Sequence, residues 1–169
     1  MAERRRLPRG TPAQVRALVA GGERVLAWAD ERRDATGVAS TAAVYLPDPS
    51  DLGAHVRLPY EQVASATWDE PVLDVVTVGP RRRRFVLELD EPGLVPQIVR
   101  DRVTASIVMS EHIVLSGTAG ARITARRSPV GDKEVTWNVV FDAGLDPADP
   151  TLREAADAAI ERLRVSTGL

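Results

Sequence analysis

The stretch RRFVLELDEPGLVPQIVRDRV (residues 83–103) contains the point where the periodicity of the chain changes. Before it, Phe85, Leu87 and Leu89 alternate with polar positions, the period of a strand with one buried face. Glu91-Pro92-Gly93 interrupts that pattern. After it, Leu94, Val95, Ile98, Val99, Val103 and Ile107 recur at helical spacing, with Arg100, Asp101 and Arg102 mostly opposite. Pro96 falls in the first turn, where a missing N–H is tolerated.

Upstream, ERVLAWAD (23–30), GVASTAAVYLP (37–47), HVRLP (55–59), ASATWDE (64–70) and LDVVTVG (73–79) read as further strands. Their short polar connections suit antiparallel neighbours. A short helix precedes them, with Thr11 as its cap, Pro12 at its first position and Gly21-Gly22 as its stop. Residues 1–10 are basic and aperiodic, and read as a flexible arm.

Downstream the plan repeats. EHIVLSG (111–117), ARITARR (121–127) and KEVTWNVVFD (133–142) are predicted strands, and Val135, Trp137, Val139 and Phe141 share a face expected to be buried. Leu152, Ala155, Ala156, Ala159, Ile160 and Leu163 then form one stripe of a terminal helix, started by Asp149-Pro150 or by a Thr151 to Glu154 capping box. The expected organisation is a basic arm (1–10), a first region (11–109) and a strand-strand-strand-helix extension (110–169) sharing its core.

The first helix-capped region resembles the pleckstrin-homology-like (PH-like) barrel, two nearly orthogonal antiparallel sheets plugged at one end by a helix. The resemblance rests on GERVLAWAD, GVASTAAVYLP, LPYEQVASATWD and LVPQIVRDRV. With TWNVVFDAGLDPADPTLREAADAAIERLR, the chain is also similar to a family of actinobacterial proteins without an assigned activity. The implied fold is α+β, a PH-like antiparallel barrel or roll capped by a helix and extended by three strands and a C-terminal helix. The basic signature of phosphoinositide-binding members is not matched. In WADERRDATGVAST, Arg32 and Arg33 are diluted by Asp30, Glu31 and Asp34, which argues against specific phosphoinositide recognition.

Composition narrows the chemistry. With 169 residues, 44% hydrophobic and 27% charged, the chain is long enough for one good core and does not have the composition of a disordered protein. Zero cysteines remove disulfides, thiolate metal sites and cysteine nucleophiles, and two histidines rule out a multi-histidine cage. No cofactor is implied. There is no apolar run suited to a transmembrane segment, and the expected location is cytoplasmic. A net charge of −2 argues against general nucleic-acid binding. Lys133 is the only lysine, so the basic side is an arginine bias of the whole chain rather than a local signal.

Arg81, Arg82, Arg83 and Arg84 are the foremost binding candidates, with Arg32 and Arg33 second. Four arginines at a hairpin end suit a phosphate group, but they suit a solvated turn better, with Asp74 or Glu88 within cross-strand reach. Asp142, Asp146 and Asp149 lack a calcium-loop pattern and read as turn and cap residues. Gly117 to Gly120 reads as a hairpin turn. Ser110, Glu111 and His112 are consecutive on a strand, where neighbours point to opposite faces, so they form no triad by themselves. Trp28, Trp68 and Trp137 sit in alternating strands as core or rim. The resulting expectation is a non-enzymatic binding or scaffold module that recognises a protein segment or self-associates through a sheet edge. Its rivals are an electrostatic module for anionic lipid or nucleic acid, and a small-molecule enzyme or carrier with a barrel cavity.

Overall fold

The computed structural model describes residues 10–30, 36–79, 81–131 and 134–169. Arg32, Arg33 and all but Gly10 of the basic arm lie outside them. Among the described residues the protein is α+β, with three antiparallel sheets and a long C-terminal helix. It divides into two compact units, Met1–Ala105 with Ser128–Gly131, and Ser106–Arg127 with Asp132–Leu169.

The first unit opens with helix α1 (Ala13–Leu18). The helix begins one residue later than the sequence predicts. Pro12 is extended and caps without a side-chain bond, while Thr11 instead offers its carbonyl to Arg16 Nε at 3.0 Å. Four strands follow in the order β1 (Val25–Asp30), β2 (Thr36–Ser40), β3 (Ala43–Pro47) and β4 (His55–Pro59). The stretch 37–47 is therefore two strands rather than one. Ser40 turns the chain without glycine or proline, because its Oγ accepts the amides of Ala42 and Ala43 at 3.2 and 3.0 Å.

Pro59 ends β4, and a 3-10 turn over Tyr60–Gln62 leads to the second sheet, β5 (Val63–Asp69), β6 (Val72–Thr77) and β7 (Arg84–Glu88). The two ladders remain separate, so no closed barrel forms among the described residues. The Tyr60 amide still reaches the Ala42 carbonyl at 3.2 Å, and the chain then leaves the β3 side for the 3-10 turn.

Alternation decides what each sheet buries. Ala27, Ala39, Val44, Leu46 and Leu58 of the first sheet meet Leu73, Val75, Phe85 and Leu87 of the second in one core. Helix α2 (Val95–Ser106) adds Val95, Val99 and Val103 to it, as the periodicity around residues 94–103 requires. The other face of the first sheet carries Val38, Ala43 and Tyr45, covered by Val15, Leu18 and Val19 of the α1 segment. Strands β2 and β3 are thus buried on both sides, which explains their runs of small apolar residues.

Glu23 ties the α1 segment to that outer face. Its carboxylate accepts from Ser40 Oγ at 2.5 Å, from Tyr45 OH at 3.1 Å and from Arg57 Nε at 2.7 Å, and Tyr45 OH in turn accepts the Ala20 amide at 2.9 Å. Burial pushes the Glu23 carboxyl up, but the bonds from Ser40, Arg57 and Tyr45 outweigh it and hold the group below its ordinary range.

In the second unit, β8 (Ile107–Ser116), β9 (Ala119–Arg126) and β10 (Thr136–Phe141) form a sheet in the order β10-β9-β8. Strand β8 starts immediately after α2, four residues before its sequence-based start. Ile107, assigned to the helical face by spacing, pairs instead with Arg126, and Ser106 accepts the Arg127 amide at 2.8 Å. Ala121, Ile123 and Ala125 are fully buried on one face. Helix α3 (Pro150–Thr167) contacts β8 and β9. Asp149 caps α3 by accepting the amides of Thr151 and Leu152 at 2.8 and 3.4 Å. Only Ala156 and Ala159 of the stripe are buried; Leu152, Ile160 and Leu163 are partly exposed. Trp137, Val139 and Phe141 are likewise only half-buried, because α3 lies toward β8 and β9 rather than β10.

Candidate functional site

The arginine run divides at the start of β7. Arg84 is its first residue, and its guanidinium grips Asp74 of β6, with Nη2 2.6 Å from Oδ2 and Nε 3.0 Å from Oδ1. This contact holds the Asp74 carboxyl below its ordinary range. Arg83 lies in the preceding loop, 4.8 Å over the Phe85 ring and 3.5 Å from Asp48. Asp48 belongs to the β3–β4 loop, where it accepts from Ser50 Oγ at 2.6 Å; this bond is the foremost reason its carboxyl lies low. The same loop exposes Leu52 completely. Arg81 and Arg82 are exposed and form no ion pair among the described residues. Acids therefore partner two of the four charges, the arrangement of a hairpin end rather than an acid-free anion patch.

The second sheet gathers more chemistry. Cross-strand register puts Ser110, Thr124 and Asn138 in one row on the face opposite Ile123, and His112, Arg122 and Val140 in the next. Ser110 Oγ stands 3.4 Å from Thr124 Oγ1. In the row beyond, Gly120 has no side chain, and Asp142, just past β10, reaches across it. The Asp142 carboxylate accepts the Gly120 amide at 2.7 Å and lies 2.9 Å from His112 Nε2. The contact with His112, then that with Gly120, holds its carboxyl below the usual range, and the charge of Arg122 acts in the same sense.

His112 thus finds its carboxylate thirty residues away, not in adjacent Glu111. Sequence spacing missed this partner and missed Arg122. The available signals were the shared parity of 112, 122 and 140 and a lone glycine inside a strand. No hydrogen bond among the described residues joins Ser110 to His112, so the pair is not assembled as a nucleophile and base. Asp142, Asp146 and Asp149 have separate tasks: contact with His112, a bond from the Ala148 amide at 2.9 Å, and the α3 cap. His55 Nε2 lies 2.9 Å from the Thr36 carbonyl in the first unit.

Strand β8 borders this face and is an edge. None of its ten residues is buried and six are exposed. Ile107 and Val114 are 39% and 59% exposed, values that leave apolar surface at both ends of the strand. Register shifts at Ile107/Met109 and Val114/Ser116 bracket a regular stretch, Met109 to Val114. Among the described residues no strand pairs with its outer side, and no helix is long and apolar enough to cross a membrane. No family model, curated protein or solved structure matches the chain.

Proposed function

We propose that the protein is a non-enzymatic cytoplasmic binding module that takes up an extended segment of a protein partner along the outer edge of β8. The observation that carries this reading is the edge itself: among the described residues β8 is the longest strand and is unpaired on one side, without proline, lysine or arginine to blunt it. Strand addition supplies affinity through main-chain bonds, each worth about 0.5–1.5 kcal/mol net. Ile107 and Val114 add exposed apolar surface at the two ends. The β10 edge is shorter and more covered, and β7 begins with the ion-paired Arg84.

The first unit supports the PH-like reading in outline, since two antiparallel sheets share a core with the helix that follows them. Its role in this proposal is that of a scaffold. A purely electrostatic module fits less well, because Arg83 and Arg84 are already paired with Asp48 and Asp74.

The test is affinity capture from the native cell with wild type and with Ile107→Lys plus Val114→Lys. Both sites are exposed, so the double variant should keep its fold while its lysines oppose strand addition. A partner held by wild type and lost by the variant supports the reading. Equal recovery by the two contradicts it. Concentration-dependent dimerisation of wild type alone would make a second copy the occupant.

A further inference from the structure

We infer that the segment taken up by β8 carries a phosphorylated side chain, seated over His112 and Arg122. This rests on the strand-addition reading above. A strand added beside β8 lies roughly 4.8 Å beyond it, and a residue opposite His112 places its side chain on the same face. Arg122 is directly across from His112 on β9. It therefore stands about two strand spacings, roughly 10 Å, from the added backbone. A long arginine and a phosphorylated serine or threonine together bridge that separation.

The chemistry of the face favours a phosphate oxyanion. Arg122 is exposed and makes no hydrogen bond among the described residues, which leaves its planar donor fork open for bidentate contact. His112 is exposed and fixed through Nε2 by Asp142; its other ring nitrogen has no partner among the described residues. Ser110 and Thr124, in the adjacent row, add hydroxyls joined only by a long 3.4 Å contact. The carboxylate of Asp142 is engaged by His112 and the Gly120 amide. Glu111 belongs to the opposite face by alternation. A phosphate brings a charge of about −1.5 to −2 and three acceptor oxygens to the guanidinium of Arg122 and the hydroxyls of Ser110 and Thr124, whereas a carboxylate brings less of both.

Three degenerate ten-residue peptide libraries, alike except for a central threonine, phosphothreonine or glutamate, test the inference on the full-length protein. Retention is measured on wild type, Arg122→Gln and Val114→Lys. Wild type should retain the phosphothreonine library about tenfold or more over the threonine library, with glutamate between them. Arg122→Gln should reduce that ratio toward one while keeping threonine-library retention, and Val114→Lys should weaken all three. Equal retention of threonine and phosphothreonine libraries by wild type overturns the phosphate inference and leaves strand addition standing. Phosphate-selective retention lost in Arg122→Gln but untouched by Val114→Lys overturns strand addition at this edge. Retention of none of the libraries overturns both. Free inorganic phosphate at millimolar concentration should compete with the phosphothreonine library; stronger retention of phosphate than of any peptide would make a small phosphorylated molecule the ligand and overturn the peptide assignment.

Discussion

A Cβ placed on Gly120 would stand 1.8 Å from the Ile113 carbonyl oxygen and 2.7 Å from its carbon, both backbone atoms that cannot swing aside. Gly120→Ala must therefore displace β8 from β9, and should cost about 3 kcal/mol or more in urea unfolding. A loss within ordinary surface variation would contradict the register. Glu23 makes a different claim, about charge. Glu23→Gln leaves Arg57 without its carboxylate and weakens the bonds from Ser40 and Tyr45, a loss of about 1–3 kcal/mol at neutral pH. Because its folded-state pKa lies below the ordinary 4.5, this stabilisation is complete above that value and disappears as pH falls through the lower folded-state value. Wild type and Glu23→Gln should accordingly converge in acid; a gap that widens with acidification would reverse the sign. In the arginine run, Arg82→Gln should change stability by under about 0.5 kcal/mol. Arg84→Gln, which frees Asp74, should be the more costly of the two by thermal melt. The sequence made Asp74 legible as a partner of this run because it lies across a short hairpin. It left Asp142 and His112 unconnected because their contact requires the β8-β9-β10 register, which no local pattern specifies.

Helix α3 shows how far an amphipathic stripe can be read. Its position, its Asp149 cap and its apolar face were all legible from periodicity and cap chemistry. Which members of the stripe go deepest was not. The alanines at 156 and 159 are buried, and the larger Leu152, Ile160 and Leu163 flank them with partial exposure. Small side chains let helix and sheet approach closely, a choice that hydrophobicity alone does not reveal. Leu163→Ala should consequently cost only about 1 kcal/mol, well below the 2–5 kcal/mol of a fully buried leucine. Ala156→Leu should be more damaging, about 1–3 kcal/mol, because it overpacks the closest approach. A reversed ranking in paired melts would mean that α3 meets the sheet on a different face. Removing residues 145–169 strips α3 from β8 and β9, and the product should aggregate rather than melt cooperatively.

At the scale of the whole molecule, strand positions and the switch from strands to helix were visible because both depend on local alternation. The partition into sheets was not. The sequence reads this region as a meander of six strands; the seventh arises because 37–47 turns at Thr41 and Ala42 through Ser40 rather than through glycine or proline, and the division after Pro59 is a β4–β5 pairing that does not form, which alternation within each strand does not reveal. That β8 begins at Ile107 depends on its pairing with Arg126, and that it lies at an edge depends on the order of the sheet; neither is written in the local pattern. The functional account depends on that edge being open in the isolated protein. Residue-resolved amide hydrogen exchange of wild type tests it most directly. Along Met109 to Val114 the account predicts alternation, with slow exchange at amides bonded to β9 and fast exchange at those directed outward. Uniformly slow exchange along this stretch would show the outer edge of β8 already covered, and would contradict the proposal that it receives a partner.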